Sequence, residues 1–129
     1  MHIEHIACWT NQLEQLKVFY ETYFQAKADS KYVNPSKHYE SYFLSFSTGA
    51  RLELMHKMDI QDKYHTPRTH TTGYTHLAFA IGSEQGVDEL TDRLHQDGFF
   101  VLNGPRHTGD GYYESVVLDP DGNQIEITV

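Results

Sequence analysis

Two histidines and two glutamates lie at matching positions in the two halves of this 129-residue chain. In the first half 48 positions separate His5 from Glu53, and in the second half 50 positions separate His76 from Glu126. Each glutamate has an aliphatic neighbour on both sides, in the segments RLELM and QIEIT. Because a carboxylate is costly to desolvate unless it is paired or bound to a cation, these four side chains are candidates for one shared site.

The four side chains form a mixed nitrogen and oxygen donor set. Two neutral imidazoles and two carboxylates balance the charge of one divalent metal ion, and the set suits Ni²⁺, Zn²⁺, Co²⁺, Mn²⁺ or Fe²⁺. Two coordination positions would stay open for water or substrate. Taken singly, a strand histidine is more often structural and a strand glutamate more often faces solvent. Their recurrence at matching positions favours a metal site made of His5, Glu53, His76 and Glu126.

An internal repeat supports this matching. The segment EHIACW corresponds to THLAFA at an offset of 71, and RLEL corresponds to QIEI at an offset of 73. Gly49 corresponds to Gly122 at 73, and the tripeptide YES occurs at residues 39–41 and again at 113–115, an offset of 74. The two halves therefore predict two β-α-β-β-β modules and an α+β fold.

Periodicity and turn residues place the elements of each module. In the first half the predicted strands are MHIEHIACW, YESYFLSFS and RLELMHK, and the predicted helix is NQLEQLKVFYETYF, which Thr10 or Asn11 can cap. In the second half the predicted strands are YTHLAFAI, FFVL, YYESVVLD and NQIEITV. The predicted helix is SEQGVDELTDRLHQDG, which Gly98 ends. The segment NGPRHTGDG is predicted to be a glycine-rich loop, and DPDG a tight turn.

Alternation along the strands places the four candidate ligands on one kind of face. His5 shares a face with Ala7, and His76 shares a face with Ala78. The large aliphatic neighbours of all four candidates point to the opposite face, where they can pack against a helix. The face with the polar residues is therefore the predicted concave, functional face.

Length and composition limit the possible classes of protein. We expect one domain over residues 1–129, with module 1 at about 1–57, a linker at 58–73 and module 2 at about 74–129. The formal charge of −8 argues against a nucleic-acid partner. No apolar run approaches the roughly 20 residues that span a membrane. The single cysteine excludes an intramolecular disulfide, so a cytoplasmic location is expected.

The motifs resemble those of the vicinal oxygen chelate superfamily, which includes glyoxalase I, extradiol dioxygenases, methylmalonyl-CoA epimerase, fosfomycin-resistance thiol transferases and bleomycin-resistance proteins. The resemblance is carried by IEHIACW, ARLELM, YTHLAFAI and DPDGNQIEIT, and it covers nearly the whole chain. It implies paired β-α-β-β-β modules whose mixed sheets curl into a cup around one metal ion, with the helices outside. It also implies a small-molecule substrate and a homodimer, and some relatives exchange modules between chains.

The complete set of two histidines and two glutamates most resembles glyoxalase I. In that enzyme the metal binds the oxygens of a hemithioacetal formed from a 2-oxoaldehyde and glutathione, and a glutamate at the metal moves a proton. The resemblance thus implies a metal-dependent lyase or isomerase, similar to lactoylglutathione lyase. It leaves open whether Glu126 or Glu53 is the catalytic base.

Residues near the predicted site differ from those of glyoxalase I. Trp9 stands where that family usually has an arginine, and Lys57 stands where it usually has an asparagine; both family residues help hold glutathione. Lys57 can instead pair with a substrate carboxylate, and Trp9 and Tyr74 share the strand parity of the two histidines. Arg106 and Tyr112 lie in or beside the glycine-rich loop, which can act as a lid. The candidate substrate-binding residues are Trp9, Lys57, Tyr74, Arg106 and Tyr112.

Other branches of the superfamily remain as alternatives. A thiol transferase typically lacks a ligand at the Glu53 position, and an epimerase typically has glutamine there. An extradiol dioxygenase usually keeps two histidines and one glutamate. Glu53 therefore favours the glyoxalase branch. The alternative outside the enzymes is a resistance-type protein that binds a small molecule or a metal without catalysis.

Overall fold

The computed structural model of the protein describes residues 1–61, 70 and 72–129. The chain divides into two compact units, Met1–Lys63 and Tyr64–Val129. The predicted linker at 58–73 lies partly outside the described residues, so the expectation of a single domain stays a prediction. In the described part of the chain, no helix is both long and apolar enough to cross a membrane.

The first unit is a mixed sheet with one long helix. Its elements are β1 (His5–Trp9), α1 (Leu13–Phe24), β2 (Lys27–Ala28), β3 (Tyr32–Asn34), a 3-10 helix (Pro35–Lys37), β4 (Tyr39–Ser45) and β5 (Arg51–Lys57). The sheet has the order β1-β5-β4, and both β2 and β3 pair with the free side of β4. Strands β1 and β5 are parallel, whereas β4 and β5 are antiparallel.

The second unit repeats this arrangement. Its elements are β6 (His76–Ala80), α2 (Glu84–Gln96), β7 (Val101–His107), β8 (Tyr113–Leu118) and β9 (Gln124–Thr128). The sheet order is β6-β9-β8-β7, with β6 and β9 parallel. The predicted β-α-β-β-β order is thus present, with the second strand of the first unit divided into β2 and β3. The α+β fold class is confirmed.

Each helix buries an apolar side against one face of its own sheet. The buried residues of α1 are Leu13, Leu16, Phe19, Tyr20 and Phe24. On β5, Leu52 and Leu54 are buried on either side of Glu53, and on β9 Ile125 and Ile127 are buried on either side of Glu126. The aliphatic residues that flank each glutamate therefore supply the sheet side of the core. The glutamates must point to the other face of the sheet, because side chains alternate along a strand.

The helix ends agree with the sequence prediction at α2 but not at the start of α1. The Ser83 hydroxyl accepts a hydrogen bond of 3.1 Å from the Gly86 amide, and Gly98 ends the α2 segment with φ +90°. Helix α1 begins at Leu13, two residues later than predicted, and Gln12 is at its N-cap without a capping side-chain bond. The predicted caps at Thr10 and Asn11 are wrong, since the Thr10 hydroxyl accepts instead from the Gln12 amide outside the helix, at 2.9 Å.

Strand pairing corrects one part of the predicted repeat. The registers of β4 on β5 and of β8 on β9 correspond at an offset of 73, whereas the two YES tripeptides are offset by 74. A one-residue shift reverses the face of every side chain. Consistent with this, the Tyr39 hydroxyl donates to Glu53, but the Tyr113 hydroxyl donates to Asp88 on α2. The two tripeptides are therefore not structural equivalents.

The predicted glycine-rich loop is largely a strand. β7 continues through Arg106 to His107, and its pairing with β8 has register shifts along the way. Gly104 has φ +83°, and a Cβ atom at this position would lie 2.6 Å from the backbone oxygen of Glu114. β7 is an edge strand, where a proline such as Pro105 and a bulge are tolerated. Arg106 thus lies on a strand, so the prediction that residues 103–107 form a loop was wrong.

The close approach at Gly104 gives a test of the β7–β8 geometry. We expect Gly104→Ala to lower the free energy of unfolding by about 2 kcal/mol or more, because the methyl group meets backbone and the positive φ disfavours alanine. Gly109→Ala is the matched control, since a Cβ there has no neighbour within 4 Å. Urea unfolding measures both. Equal effects of the two substitutions would contradict the described β7–β8 contact.

Candidate metal centre

In the first unit, His5 and Glu53 lie diagonally across the parallel pair β1–β5. Ala7 is directly opposite Glu53, and His5 is two residues earlier on the same face. The Nε2 atom of His5 is 3.8 Å from Oε2 of Glu53. The Glu53 side chain is only 13% exposed and that of His5 is 40% exposed. The carboxylate of Glu53 is thus mostly buried, whereas the imidazole of His5 is partly exposed to solvent.

In the second unit, His76 and Glu126 have the same register. Ala78 is directly opposite Glu126, and His76 is again two residues earlier. The Nε2 atom of His76 is 3.3 Å from Oε2 of Glu126, and the two side chains are 38% and 17% exposed. Each unit therefore brings together one predicted histidine and one predicted glutamate. That the two pairs share one ion stays a prediction.

Tyr39 holds the carboxylate of Glu53 in place. Its hydroxyl donates a hydrogen bond of 3.0 Å to Glu53 Oε1, which leaves Oε2 directed at His5. Burial raises the pKa of the Tyr39 phenol, and the Glu53 carboxylate raises it further, so the phenol stays protonated as the donor. The Tyr39 ring also meets the indole of Trp9 edge to face, with centroids 6.2 Å apart.

The predicted substrate-binding residues of the first unit lie beside this pair. The Nζ atom of Lys57 is 5.5 Å from the centroid of the Trp9 ring, and it also pairs with Asp59 at 3.1 Å. Trp9 is exposed although it is large and apolar. Strand parity puts Trp9 and Lys57 on the same face as His5 and Glu53. This face therefore combines an accessible aromatic surface with a cation.

A carboxylate and a guanidinium lie on the other side of His5. The Nδ1 atom of His5 is hydrogen-bonded to the Glu4 carboxylate, which also accepts from Arg51 Nε at 2.9 Å. These two hydrogen bonds, that of His5 first, hold the pKa of Glu4 below its usual range. The Nε2 atom of His5 is left facing Glu53.

Charged side chains of both signs lie near Glu126. Burial raises the pKa of Glu126, the neighbouring His76 lowers it, and the Glu114 carboxylate raises it again. Glu114 is itself paired with Arg106, whose Nη1 is 3.0 Å from Glu114 Oε1. Arg106, a predicted substrate-binding residue, is thus placed near the second pair and is paired with a partly buried carboxylate.

The two remaining predicted substrate-binding residues lie outside the strands. Tyr74 is fully exposed just before β6, and Tyr112 is exposed just before β8. The Tyr112 backbone closes the turn after β7, because its amide donates to the Thr108 hydroxyl at 3.0 Å and its carbonyl accepts from the Thr108 amide at 2.8 Å. In the part of the chain that the structure describes, no hydrogen bond or ion pair joins the Tyr74 or Tyr112 side chain to a histidine–glutamate pair.

The donor atoms of each pair fit one edge of a metal coordination shell. Two ligands about 2.1 Å from an ion lie roughly 3.0–3.5 Å apart. The 3.3 Å separation at His76 and Glu126 falls in this range, and the 3.8 Å separation at His5 and Glu53 slightly exceeds it. Among the described residues no three His, Cys, Asp or Glu side chains form a metal-binding group. Each unit therefore brings together two of the four predicted ligands.

Comparison with known sequences assigns the chain to a family. The sequence model of the Glyoxalase/Bleomycin resistance protein/Dioxygenase superfamily matches residues 2–127. The chain belongs to this superfamily. The predicted resemblance is confirmed at this level, whereas the glyoxalase I branch within the superfamily stays a prediction.

Similar proteins include solved structures of this superfamily. A possible glyoxalase from Bacillus cereus is 26% identical with a TM-score of 0.74, and the match covers 100% of this chain and 99% of that one. Glyoxalase I of Leishmania major, described as trypanothione-dependent, is 21% identical with a TM-score of 0.78 over 99% of this chain and 86% of that one. The latter likeness shows the fold alone.

A curated relative matches part of the chain. The uncharacterized protein YqjT of Bacillus subtilis (strain 168) is 37% identical over 71 residues, which is 53% of this chain and 53% of that protein. The match thus spans about half the length of the curated relative. Because that relative is uncharacterized, the match suggests no activity for this chain.

Sequence reasoning missed several residues that support the pairs. Tyr39, Glu4, Phe43 and Glu114 all contact a predicted ligand or one of its neighbours. Tyr39 can be recognised only from the β4–β5 register, which puts it on the same face as Glu53. Glu4 had no such signal, since neighbours in a strand normally point to opposite faces.

The Tyr39 hydrogen bond gives a stability prediction. We expect Tyr39→Phe to lower the free energy of unfolding by about 1 kcal/mol, because a mostly buried carboxylate loses its donor. Tyr74→Phe is the matched control and should change it by less than about 0.5 kcal/mol. Thermal and urea unfolding measure both variants. If Tyr39→Phe has no effect, or has the same effect in a Glu53→Ala background, the hydrogen bond does not contribute to stability in this way.

Proposed function

We propose that this chain is a metal-dependent enzyme of the glyoxalase I type, a lyase or isomerase that acts on a small oxygen-chelating substrate. The favoured substrate is a hemithioacetal formed from a 2-oxoaldehyde and a thiol. The observation that carries the proposal is the identical register of the two histidine–glutamate pairs, His5 with Glu53 and His76 with Glu126. The four side chains supply a neutral centre for one divalent ion of Ni, Zn, Co, Mn or Fe.

The protein side chains have separate tasks in this reaction. A bound divalent ion supplies Lewis-acid polarisation of the substrate oxygens. A glutamate, either Glu126 or Glu53, takes the proton from the carbon that bears sulfur and returns it to the neighbouring carbon. The hydroxyl proton of the hemithioacetal passes to the former carbonyl oxygen in the same isomerisation, so the atoms balance and no external oxidant or reductant is needed.

The substrate is proposed to be held by residues beside the pairs. Lys57 and Trp9 offer a cation over an accessible aromatic face, which suits an anionic group next to an apolar one. Arg106 can hold a second anionic group if its bond to Glu114 is exchanged for one to the substrate. Tyr74 and Tyr112 complete the proposed substrate-binding set. Because Trp9 and Lys57 replace the usual glutathione-holding residues, a thiol other than glutathione is included in the proposal.

The proposed assembly is a homodimer in the cytoplasm. Two ligands per unit leave the donor set incomplete until a second unit supplies the other pair. That second unit can come from the same chain or from a partner chain. Both arrangements give one metal ion per chain, so the metal stoichiometry tests the site without depending on which arrangement is present.

Metal content is the first test of the proposed centre. We expect purified, tag-free protein to contain about one divalent ion per chain by elemental mass spectrometry, and His76→Ala to lose most of it. His95→Ala is the matched control, because His95 is exposed on α2 and should leave the metal content unchanged. Absence of metal in wild-type protein after soaking with Ni²⁺, Zn²⁺ and Mn²⁺ would contradict the proposal and favour a ligand-sequestering protein.

Turnover separates an enzyme from a resistance-type binding protein. With metal restored, we expect isomerisation of a 2-oxoaldehyde–thiol adduct, and we expect Glu53→Gln and Glu126→Gln to reduce the rate at least about 100-fold. Glu89→Gln, on the exposed side of α2, is the matched control and should keep the wild-type rate.

The only tryptophan, Trp9, also reports binding on the same face by its fluorescence. A saturating change in Trp9 fluorescence without product would favour the binding protein. Fluorescence saturation together with product would favour the enzyme.

A further inference from the structure

We infer that Glu4 is a positioning residue for the metal centre: its carboxylate holds His5 in the tautomer that leaves Nε2 free to bind a divalent ion. The inference rests on the proposed function, because it assigns a role toward the same ion. It concerns a residue that lies outside the four predicted ligands and has no counterpart in the second unit.

Glu4 is fixed by both its main chain and its side chain. The Arg51 amide donates a 3.0 Å hydrogen bond to the Glu4 carbonyl, just before β1 pairs with β5. The Glu4 carboxylate accepts from Arg51 Nε at 2.9 Å and from a second guanidinium nitrogen. The same carboxylate meets Nδ1 of His5. Glu4 precedes the first strand residue, so strand alternation does not turn its side chain away from that of His5.

Two ring contacts complete a closed set of four residues. The Arg51 guanidinium lies 4.2 Å from the centroid of the Phe43 ring. The Phe43 ring in turn meets the His5 imidazole edge to face, with centroids 5.3 Å apart and planes at 87°. His5 thus contacts Glu4 and Phe43, and Arg51 contacts both of those residues. The orientation of the imidazole is therefore set from two sides.

The tautomer follows from the hydrogen-bonding capacity of the groups. An ionised carboxylate only accepts hydrogen bonds, so the ring nitrogen that is hydrogen-bonded to it must carry the proton. That nitrogen is Nδ1. The Nε2 atom is 3.8 Å from Glu53 Oε2, too far for a hydrogen bond, and therefore keeps its lone pair. Metal-binding histidines commonly donate their second ring nitrogen to a carboxylate, which fixes the ring and strengthens it as a ligand. The contacts of Glu4 match this role.

The second unit lacks these groups at the matching positions. Thr75 precedes His76 where Glu4 precedes His5, and Gln124 is opposite His76 where Arg51 is opposite His5. The two halves therefore present equivalent ligands with different support. A substitution at Glu4 should weaken metal binding, whereas one at Thr75 should not.

The dissociation constant for Zn²⁺ tests the role on the whole chain. With metal-free protein in competition against a chromophoric chelator, we expect Glu4→Ala to weaken Zn²⁺ binding roughly 10-fold or more. Glu4→Gln should weaken it less, since the amide oxygen still accepts from Nδ1. Thr75→Ala, the matched control, should stay within about twofold of wild type. An unchanged constant in Glu4→Ala, or equal losses in Glu4→Ala and Glu4→Gln, would overturn the inference.

Nitrogen NMR of the imidazole gives a readout that a merely structural role would not move. In metal-free wild-type protein, we expect the neutral His5 imidazole to carry its proton on Nδ1. In Glu4→Ala the proton should move toward Nε2, while the His76 signals stay unchanged. A His5 proton on Nε2 in the wild type would overturn the inference. This result would not depend on whether a variant folds, because it is measured on the wild-type protein.

The two proposals fail in different ways. If His76→Ala loses Zn²⁺ but Glu4→Ala binds it as wild type does, the metal centre stands and the role of Glu4 is wrong. If neither wild type nor variants bind Zn²⁺, the proposed function is wrong, and so is the role of Glu4 that rests on it.

Discussion

The parallel pairing of the first and last strand of each unit is the constraint on which the candidate site depends. Parallel neighbours cannot be joined by a tight turn, so the chain must leave through a helix and return through the intervening strands. The β-α-β-β-β order meets this requirement in both units. Pairing puts each histidine two residues before the position opposite the glutamate, on one face. A shift by one residue would move one partner to the helix side.

Burial of the apolar face of each sheet determines which side chains lie on its polar face. Leu52 and Leu54 are buried against the α1 side, and Ile125 and Ile127 are buried in the second unit. Slipping β5 or β9 by one residue would expose two aliphatic side chains and bury a carboxylate in the core, and both changes are costly. Hydrophobic packing thus supports the placement of Glu53 and Glu126, and no polar contact between the strands is needed to define it.

Much of this arrangement was predictable from the sequence, because side-chain alternation and repeat spacing can be recognised without knowing which strands pair. They predicted the histidine and the glutamate of each unit, the two helices and the β-α-β-β-β order of two similar halves. The sequence predictions failed where the structure depends on the register of strand pairing or on the position of a strand at the sheet edge. The YES tripeptides look equivalent but differ by one position in the sheet, and the Gly104-Pro105 segment resembles a loop although an edge strand accommodates it. Tyr39 and Glu4 could not be identified as supporting residues without knowing their partners on the neighbouring strands.

The two histidine–glutamate pairs have the same register, but the side chains around them differ. Glu53 receives a hydrogen bond from Tyr39, and its histidine is supported by Glu4 and Arg51. Glu126 instead lies near a second carboxylate, Glu114, whose charge is balanced by Arg106. A repeat of two identical modules would give ligands of identical strength and basicity. The two carboxylates here have different hydrogen-bond partners and different neighbouring charges. The proposed reaction needs one of the two glutamates to exchange a proton, and these unequal surroundings distinguish Glu53 from Glu126.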